Sequence, residues 1–88
     1  MERAAQSWYR RAADKGYALA QSSLGILYSE GRGVERDWSQ AYFWLKLAVL
    51  RGDTKAAPIL DTVQKQLKPD QIAASDRLIK SWKPTAEP

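Results

Sequence analysis

Cysteine and histidine are both absent from this sequence of 88 residues. Without them the chain has no disulfide, no thiol nucleophile, no imidazole base and no metal site built from Cys and His. The serine motifs Ser-x-x-Lys and Gly-x-Ser-x-Gly are also missing, so serine acyl transfer has no starting point. The sequence therefore predicts a protein that is not an enzyme, with no catalytic residue, no metal site and no cofactor.

Long apolar runs and clusters of like charge are missing as well. No run approaches the ~20 apolar residues of a membrane span, and no span is expected. Lys and Arg number 14 against 10 Asp and Glu, a net charge of +4, but the basic residues are scattered. Nucleic-acid interfaces show a clustered basic patch. We therefore expect no nucleic-acid binding, although Trp38, Tyr42 and Phe43 are expected to be partly exposed and aromatic rings can stack on bases.

The N-terminal residues show no signal peptide. Met1, Glu2 and Arg3 lead directly into an amphipathic segment without an apolar h-region. As written, the chain is expected in a cytosol-like compartment. A periplasmic or secreted location stays open if the chain is a piece of a longer protein.

The sequence does contain an internal repeat. Shifted by 36 residues against itself, the chain shows six identities in the 20 positions from Ala5 to Leu24, where chance gives about one. The identical pairs are Ala5/Ala41, Trp8/Trp44, Ala12/Ala48, Gly16/Gly52, Ala20/Ala56 and Leu24/Leu60. A period of about 20 to 50 residues indicates stacked supersecondary units.

The apolar spacing makes each unit a pair of helices. Ala41, Trp44 and Ala48 recur at steps of three and four residues, which places them on one helix face. Gly16 and Gly52 follow such segments, where a left-handed residue ends a helix. We predict an all-α fold of about five helices, at 3–15, 18–30, 38–51, 54–67 and 69–82.

Caps and prolines refine these boundaries. Residues 37–40 read Asp-Trp-Ser-Gln, a capping-box pattern with Asp37 as the N-cap. Asp53 is a candidate N-cap for the next helix. Pro58 removes a backbone hydrogen bond from a helix that spans 54–67, so either this helix begins near Ala57 or its first turn is kinked.

The segment from residue 20 to residue 52 resembles the Sel-1-like repeat, a relative of the tetratricopeptide repeats. Its most specific part is the string LGILYSEGRGV at residues 24–34, and the period of 36 favours it over the period of about 34 in tetratricopeptide repeats. The resemblance covers residues 4 to about 60. The matching residues are Ala20, Leu24, Gly25, Tyr28, Gly31, Gly33, Val34, Asp37, Ala41, Trp44, Ala48 and Gly52.

The resemblance implies an α-solenoid of antiparallel helix pairs with a C-terminal capping helix. One domain at 1–82 is expected, with a half repeat at 3–16, a full repeat at 18–52, and a degraded repeat plus cap at 53–82. Residues 83–88 are expected to form a flexible tail. The predicted structural core of the repeats consists of Trp8, Ala12, Ala20, Leu24, Gly25, Tyr28, Gly31, Gly33, Ala41, Trp44, Ala48 and Gly52.

The resemblance also implies a protein or peptide partner, bound in a concave groove lined by the first helix of each pair. The groove positions are Leu19, Ser22, Ile26 and Ser29, and one period later Lys55, Pro58, Thr62 and Lys65. These side chains suit an extended or helical peptide with an apolar anchor and an acidic end. The alternative that Leu19 and Ile26 only pack against the first helix stays open.

Other roles stay open at this stage. The chain could be the C-terminal structural cap of a longer array. It could form a homodimer through its first helix, because one face with Trp8, Tyr9 and Ala12 lacks a partner helix. A nucleic-acid binder is the remaining alternative. Since about three repeats are normally needed for stable stacking, two and a half units predict marginal stability.

Overall fold

The computed structural model describes residues 2–85, with side chains from residue 6 onward. This part contains α-helices and no strand, which confirms the all-α prediction. Residues 86–88 of the predicted flexible tail lie outside the described part. The helices are α1 (Glu2–Asp14), α2 (Ala18–Glu30), α3 (Trp38–Leu50), α4 (Ala57–Gln64) and α5 (Pro69–Ser81), and a 3₁₀ turn at Thr54–Ala56 precedes α4.

Glycines end the helices where the sequence predicts. Gly16 and Gly52 follow α1 and α3 with φ of 95° and 105°, and Gly31 follows α2 with φ of 69°. Residues with a Cβ are strained in this left-handed region, whereas glycine is not. The positions of these glycines in the sequence therefore determine where the three helices end.

The start of α3 uses the predicted cap in a modified form. The Gln40 backbone N–H donates to Asp37 Oδ1 over 3.1 Å, as expected for an N-cap. The Asp37 backbone N–H donates to the Tyr28 carbonyl, also over 3.1 Å, and so ties the loop to α2. The cap thus orders both the helix and the connection that precedes it.

The start of α4 settles the position of Pro58. The helix begins at Ala57 and Pro58 lies in its first turn, where a missing N–H does no harm. Asp53 occupies the N-cap position of the 3₁₀ turn, as predicted, but its side chain makes no cap hydrogen bond. The Ala56 N–H donates instead to the Asp53 carbonyl over 3.2 Å, which closes the 3₁₀ turn.

Helix α3 lies at the centre of the molecule. It packs against α2, α4 and α5, while α1 packs against α2. Leu24 and Leu45 are completely buried between these helices, and Trp44 is 2% exposed. The buried apolar side chains are Ala13, Ala20, Leu24, Leu27, Ala41, Tyr42, Trp44, Leu45, Leu47, Ala48, Ala56, Val63 and Ile79.

Gly25 allows α2 and α3 to approach closely. A Cβ at this position would lie 2.6 Å from Leu45 Cγ and 3.1 Å from the Ala41 carbonyl oxygen. Real Cβ atoms do not tolerate the shorter distance, since protein interiors are close-packed. The absence of a side chain at Gly25 therefore sets the spacing of the two helices.

Trp8 departs from the predicted core. Its side chain is 71% exposed, whereas Trp44, one period later, is 2% exposed. The difference has a structural cause: α3 has neighbours on several sides, while among the described helices α1 packs mainly on α2. The Arg11 guanidinium lies 5.9 Å from the centroid of the Trp8 ring. The core assignment of Trp8 is thus corrected, whereas Ala12 and Tyr28 are half-buried and pack against the core.

A polar cluster joins α3 to α5. The Tyr42 hydroxyl donates to Asp76 Oδ1 over 2.7 Å, and Lys46 Nζ donates to the same oxygen over 2.8 Å and to the Tyr42 hydroxyl oxygen over 2.9 Å. Tyr42 is 1% exposed, so the expectation that it is partly exposed is wrong. Its ring belongs to the core, and its hydroxyl is satisfied by α5.

These contacts shift the pKa of each member of the cluster. Burial raises the pKa of Tyr42 above its usual value. The hydrogen bond to Asp76 raises the pKa of Lys46, and the hydrogen bond from Lys46 lowers the pKa of Asp76. The charged forms of Lys46 and Asp76 therefore stabilise each other across the α3–α5 contact.

The C-terminal ends of α1, α3 and α5 meet at one edge of the molecule. Arg51 Nε donates to the Gly16 carbonyl over 2.6 Å, and its guanidinium lies 5.7 Å from the centroid of the Trp82 ring. The Thr85 backbone N–H donates to the Asp14 carbonyl over 2.7 Å. We call these contacts the C-terminal node; they connect the first helix to the segment that follows the last.

Candidate partner-binding groove

A groove of about 180 Å³ separates α2 from the start of α4. From α2 it is lined by Leu19, Ser22, Ser23 and Ile26, and from the opposite side by Asp53, Lys55, Ala56 and Ile59. The structure thus brings together four of the sequence-predicted groove residues, which are Leu19, Ser22, Ile26 and Lys55. Aliphatic side chains and one side chain of each charge share this surface.

Leu19 is the most exposed apolar residue of the groove. Its side chain is 76% exposed, so it does not pack against the first helix. Ile26 and Ile59 are half-buried and pack against the core, where they form the groove's floor. Leu19 also borders a second, more open depression of about 410 Å³ that includes Arg51 and Lys55. An apolar side chain therefore stands between two concave surfaces with basic residues nearby.

The predicted hydroxyl groups already have hydrogen-bond acceptors within their own helices. Ser22 Oγ donates to the Leu19 carbonyl over 3.0 Å, and Ser29 Oγ donates to the Ile26 carbonyl over 2.8 Å. Thr62 Oγ1 donates to the Pro58 carbonyl over 3.2 Å. Backbone carbonyls three or four residues earlier are common acceptors for such side chains. Of these three residues only Ser22 lines the groove, and its hydroxyl is not a free donor there.

Four predicted groove residues, Ser29, Pro58, Thr62 and Lys65, do not line the groove. A 3₁₀ turn at Thr54–Ala56 precedes α4, so α4 does not begin as α2 does. Lys65 lies beside Asp61 instead, with 3.8 Å between its Nζ and Asp61 Oδ2.

Ile59 lines the groove together with Ser23, Asp53 and Ala56, none of which was predicted there. Ile59 lies one period after Ser23, and each follows a predicted groove position, Pro58 and Ser22, by one residue. Because Ser23 lines the groove on α2, its repeat position is the sequence signal that points to Ile59.

One buried polar side chain lies outside the groove. Gln21 is completely buried, and its Nε2 donates to the Ala13 carbonyl at the end of α1 over 3.1 Å. Its Oε1 has no hydrogen-bond partner among the described residues. Gln21 therefore fixes α1 against α2 and has no access to the groove.

The described residues contain neither a candidate metal site nor a helix suited to span a membrane. Among the side chains of residues 6–85, no three acidic groups come close enough to hold a metal ion. In the same range, no helix combines the length and the apolar character that a membrane-crossing segment requires.

Stacked helix pairs with a small residue at the interhelical contact and an amphiphilic groove define a helical-repeat protein. The family model described as Sel1 repeat matches residues 2–17 and 18–53. The chain belongs to the Sel1 repeat family. Sel1 repeats are in general non-catalytic modules that mediate protein–protein interactions.

Curated relatives are found in several kingdoms. The alginate biosynthesis protein AlgK of Azotobacter vinelandii is 35% identical over 68 residues, which are 77% of this chain and 15% of that protein. The chitin synthase regulator SKT5 of Malassezia restricta is 36% identical over 75 residues, 84% of this chain and 5% of that protein. The DAP3-binding cell death enhancer 1 of Rattus norvegicus is 47% identical over 38 residues, 43% of this chain and 8% of that protein. The chain thus spans a small part of the length of each relative.

Proposed function

We propose that this chain is a protein-interaction module without catalytic activity, which binds a peptide segment of a partner protein in the groove between α2 and the start of α4. The observation that carries the proposal is the 76% exposure of Leu19 beside the half-buried Ile26 and Ile59. Covering apolar surface contributes about 25 cal/mol per Å². Binding is therefore favoured when an aliphatic side chain of the partner covers Leu19 and fills the groove.

The charges of the groove specify the rest of the partner. Lys55 lines both the groove and the adjoining depression, next to Leu19. A carboxylate that follows the apolar anchor of the peptide pairs with this ammonium group. Asp53 also lines the groove and disfavours a second carboxylate on its side. The expected ligand is thus a peptide with an apolar anchor and one acidic end.

The relatives support the class of function and no specific partner. The name of one relative describes a protein that binds DAP3, and the name of another describes a regulator of an enzyme. Both descriptions fit proteins that act by contact with other proteins. For this chain we carry over only that mode of action.

A peptide-selection experiment tests the groove. Peptides displayed on phage are selected against the wild-type chain, and the affinity of the enriched peptides is measured by fluorescence polarisation. We expect enrichment of sequences that combine an aliphatic and an acidic residue. The double variant Leu19→Glu, Lys55→Glu should bind these peptides at least about tenfold more weakly, because it replaces both the anchor surface and the cation.

The control double variant is Leu50→Glu, Lys80→Glu. It introduces the same charges at two exposed positions outside the groove, since Leu50 is 65% exposed and Lys80 is exposed as well. Full binding by this control together with loss of binding by the groove variant supports the proposal. Equal binding by the two variants refutes the groove assignment.

A second proposal is self-association through α1. Trp8 is 71% exposed and Tyr9 is 37% exposed on this helix, which leaves a large aromatic surface in water. Two copies that pack these faces together remove that surface from water. Analytical ultracentrifugation should show a dimer that the Trp8→Glu variant abolishes. A wild-type chain that stays monomeric at high concentration refutes the dimer.

A third proposal assigns α5 the role of a cap that closes the helical array. Its exposed residues include the charged Asp70, Arg77 and Lys80, in line with the polar outer face of terminal repeats. Replacement of these three residues by alanine should promote self-association, measured by light scattering over a range of concentrations. Scattering that does not change with concentration contradicts the capping role.

A further inference from the structure

A second concave site lies beside α3, between α1 and α5. The segment that follows α5 contacts the end of α1 at the C-terminal node, where the Thr85 N–H donates to the Asp14 carbonyl over 2.7 Å. Further along, the two helices leave a cleft of about 210 Å³, which we call the α1–α5 cleft. Arg10 lines it from α1, Phe43 and Trp44 from α3, and Ser75 and Leu78 from α5.

The α1–α5 cleft is lined by aromatic and aliphatic side chains, by the uncharged polar residues Ser39, Gln40 and Ser75, and by one cation. The Phe43 and Trp44 rings meet edge to face, with centroids 4.9 Å apart, and form its aromatic floor. Leu78 borders the cleft and is 61% exposed. No acidic side chain is among the lining residues, and Arg10 is the single basic one. The cleft therefore favours a ligand that carries a negative charge next to an aliphatic group.

Arg10 is held in position to receive this charge. Its guanidinium lies 5.4 Å from the centroid of the Trp44 ring, and its Nε donates to Asp14 Oδ1 over 3.3 Å. A guanidinium carries five N–H donors, and its terminal nitrogens form the fork that a carboxylate accepts with two oxygens. Asp14, one turn further along α1, engages only Nε, so a second carboxylate has a donor pair of its own.

Trp44 is the natural reporter of the cleft. Its side chain lines the cleft, and its indole N–H is buried without a hydrogen-bond partner among the described residues. The indole N–H signal is therefore a probe that responds when a ligand covers the Trp44 ring.

We propose that the α1–α5 cleft is a second docking site, which takes an acidic peptide segment of a partner protein. An aliphatic side chain of the segment enters between Phe43 and Leu78, and a neighbouring carboxylate pairs with Arg10. The groove beside Leu19 takes no part in this contact. A chain with both sites binds partners on two separate surfaces, the groove between α2 and α4 and the α1–α5 cleft.

The test is an NMR titration of the ¹⁵N-labelled chain with the peptide acetyl-Gly-Leu-Leu-Glu-Glu-Gly-amide. We expect saturable shifts of the Trp44 indole N–H and of the Phe43 and Leu78 amides. The analogue with glutamine in place of both glutamates should bind about two- to fivefold more weakly, because exposed ion pairs are modest in strength. Equal affinity for the two peptides overturns the role of Arg10.

Paired variants locate the site. Leu78→Ser and Arg10→Gln should each weaken binding at least about twofold, in line with the modest strength of exposed contacts. Leu50→Ser and Arg11→Gln are matched controls, since Leu50 is 65% exposed and both residues lie outside the cleft lining. An unchanged melting temperature of the Leu78 and Arg10 variants shows that each is folded.

Three results overturn the proposal. One is the absence of saturable shifts with the acidic peptide. Another is a set of shifts confined to Leu19, Ile26 and Ile59, which assigns the peptide to the groove instead. The third is equal weakening by the variants and their controls. The proposed groove function is tested with other variants, so failure of either site is recognised separately.

Discussion

Replacement of Gly25 by alanine tests whether the contact between α2 and α3 sets the stability of the molecule. In an unconstrained helix this change is favourable by about 1 kcal/mol, because alanine has the higher helix propensity. Here the new Cβ lies 2.6 Å from Leu45 Cγ and 3.1 Å from both the Ala41 carbonyl oxygen and the Leu45 backbone nitrogen. The two effects therefore act in opposite directions.

The magnitudes decide the outcome. Overpacking a core by one methyl group costs about 1–3 kcal/mol, and the upper part of this range applies when backbone atoms must move. The Leu45 side chain can rotate, but the two backbone atoms cannot yield without a shift of α3 as a whole. We expect a net loss of about 1–2 kcal/mol, which lowers the melting temperature of a domain this small by roughly 4–16 °C.

The assay is urea unfolding followed by circular dichroism, with the double variant Gly25→Ala, Leu45→Ala as the control. Leu45→Ala alone should cost about 2–5 kcal/mol, since Leu45 is completely buried. It also removes the closest contact of the new methyl group. The double variant should therefore lose less than the sum of the two single variants, by at least about 0.5 kcal/mol. A Gly25→Ala variant that is more stable than the wild type refutes the close approach as the governing feature.

Three further outcomes follow from the structure. Leu24→Ala should destabilise the chain by about 2–5 kcal/mol in urea unfolding, because Leu24 is completely buried and leaves a cavity. The hydrogen bond from Lys46 lowers the pKa of Asp76, so this carboxylate contributes stability that is present above its unfolded pKa of about 3.9 and is lost as the pH falls through the lower folded value. The Asp76→Asn variant should therefore lose less stability than the wild type between about pH 6 and about pH 3, measured by urea unfolding. Arg51→Gln should lower the unfolding free energy by about 1 kcal/mol through loss of the hydrogen bond to the Gly16 carbonyl, and an unchanged melting temperature would show that this contact is dispensable.

Most of the fold follows from the sequence because its signals are local. Glycines at a fixed spacing end helices through their backbone conformation, and Asp37 caps α3 from three residues before Gln40. The approach of α2 to α3 depends on one missing side chain, which the sequence displays directly at Gly25. Such features need no knowledge of distant parts of the chain.

The exposure of Trp8 to solvent could not be predicted from its repeat position. The sequence equates Trp8 with Trp44, but their burial depends on which helices lie next to α1 and α3. A repeat match predicts that two segments have the same local structure, but it does not predict which helices pack around each of them. Tyr42 shows the reverse case, since its burial requires Asp76, 34 residues away on α5.

The groove was predicted in part on each side. Leu19, Ser22 and Ile26 on α2 line the groove, whereas Ser29, near the end of the same helix, does not. The second half of the set assumed that α4 repeats the geometry of α2. A 3₁₀ turn precedes α4 instead, and Ile59 lines the groove while Thr62 does not.

The C-terminal node changes how this small array responds to stress. In an open row of repeats each unit touches only its neighbours, so the ends can fray one unit at a time. Here Thr85, which lies beyond α5, donates a hydrogen bond to the Asp14 carbonyl at the end of α1. Arg51 donates another to the Gly16 carbonyl in the turn that follows α1. Loosening either end therefore disturbs the other, and the helices should melt together in a single cooperative transition.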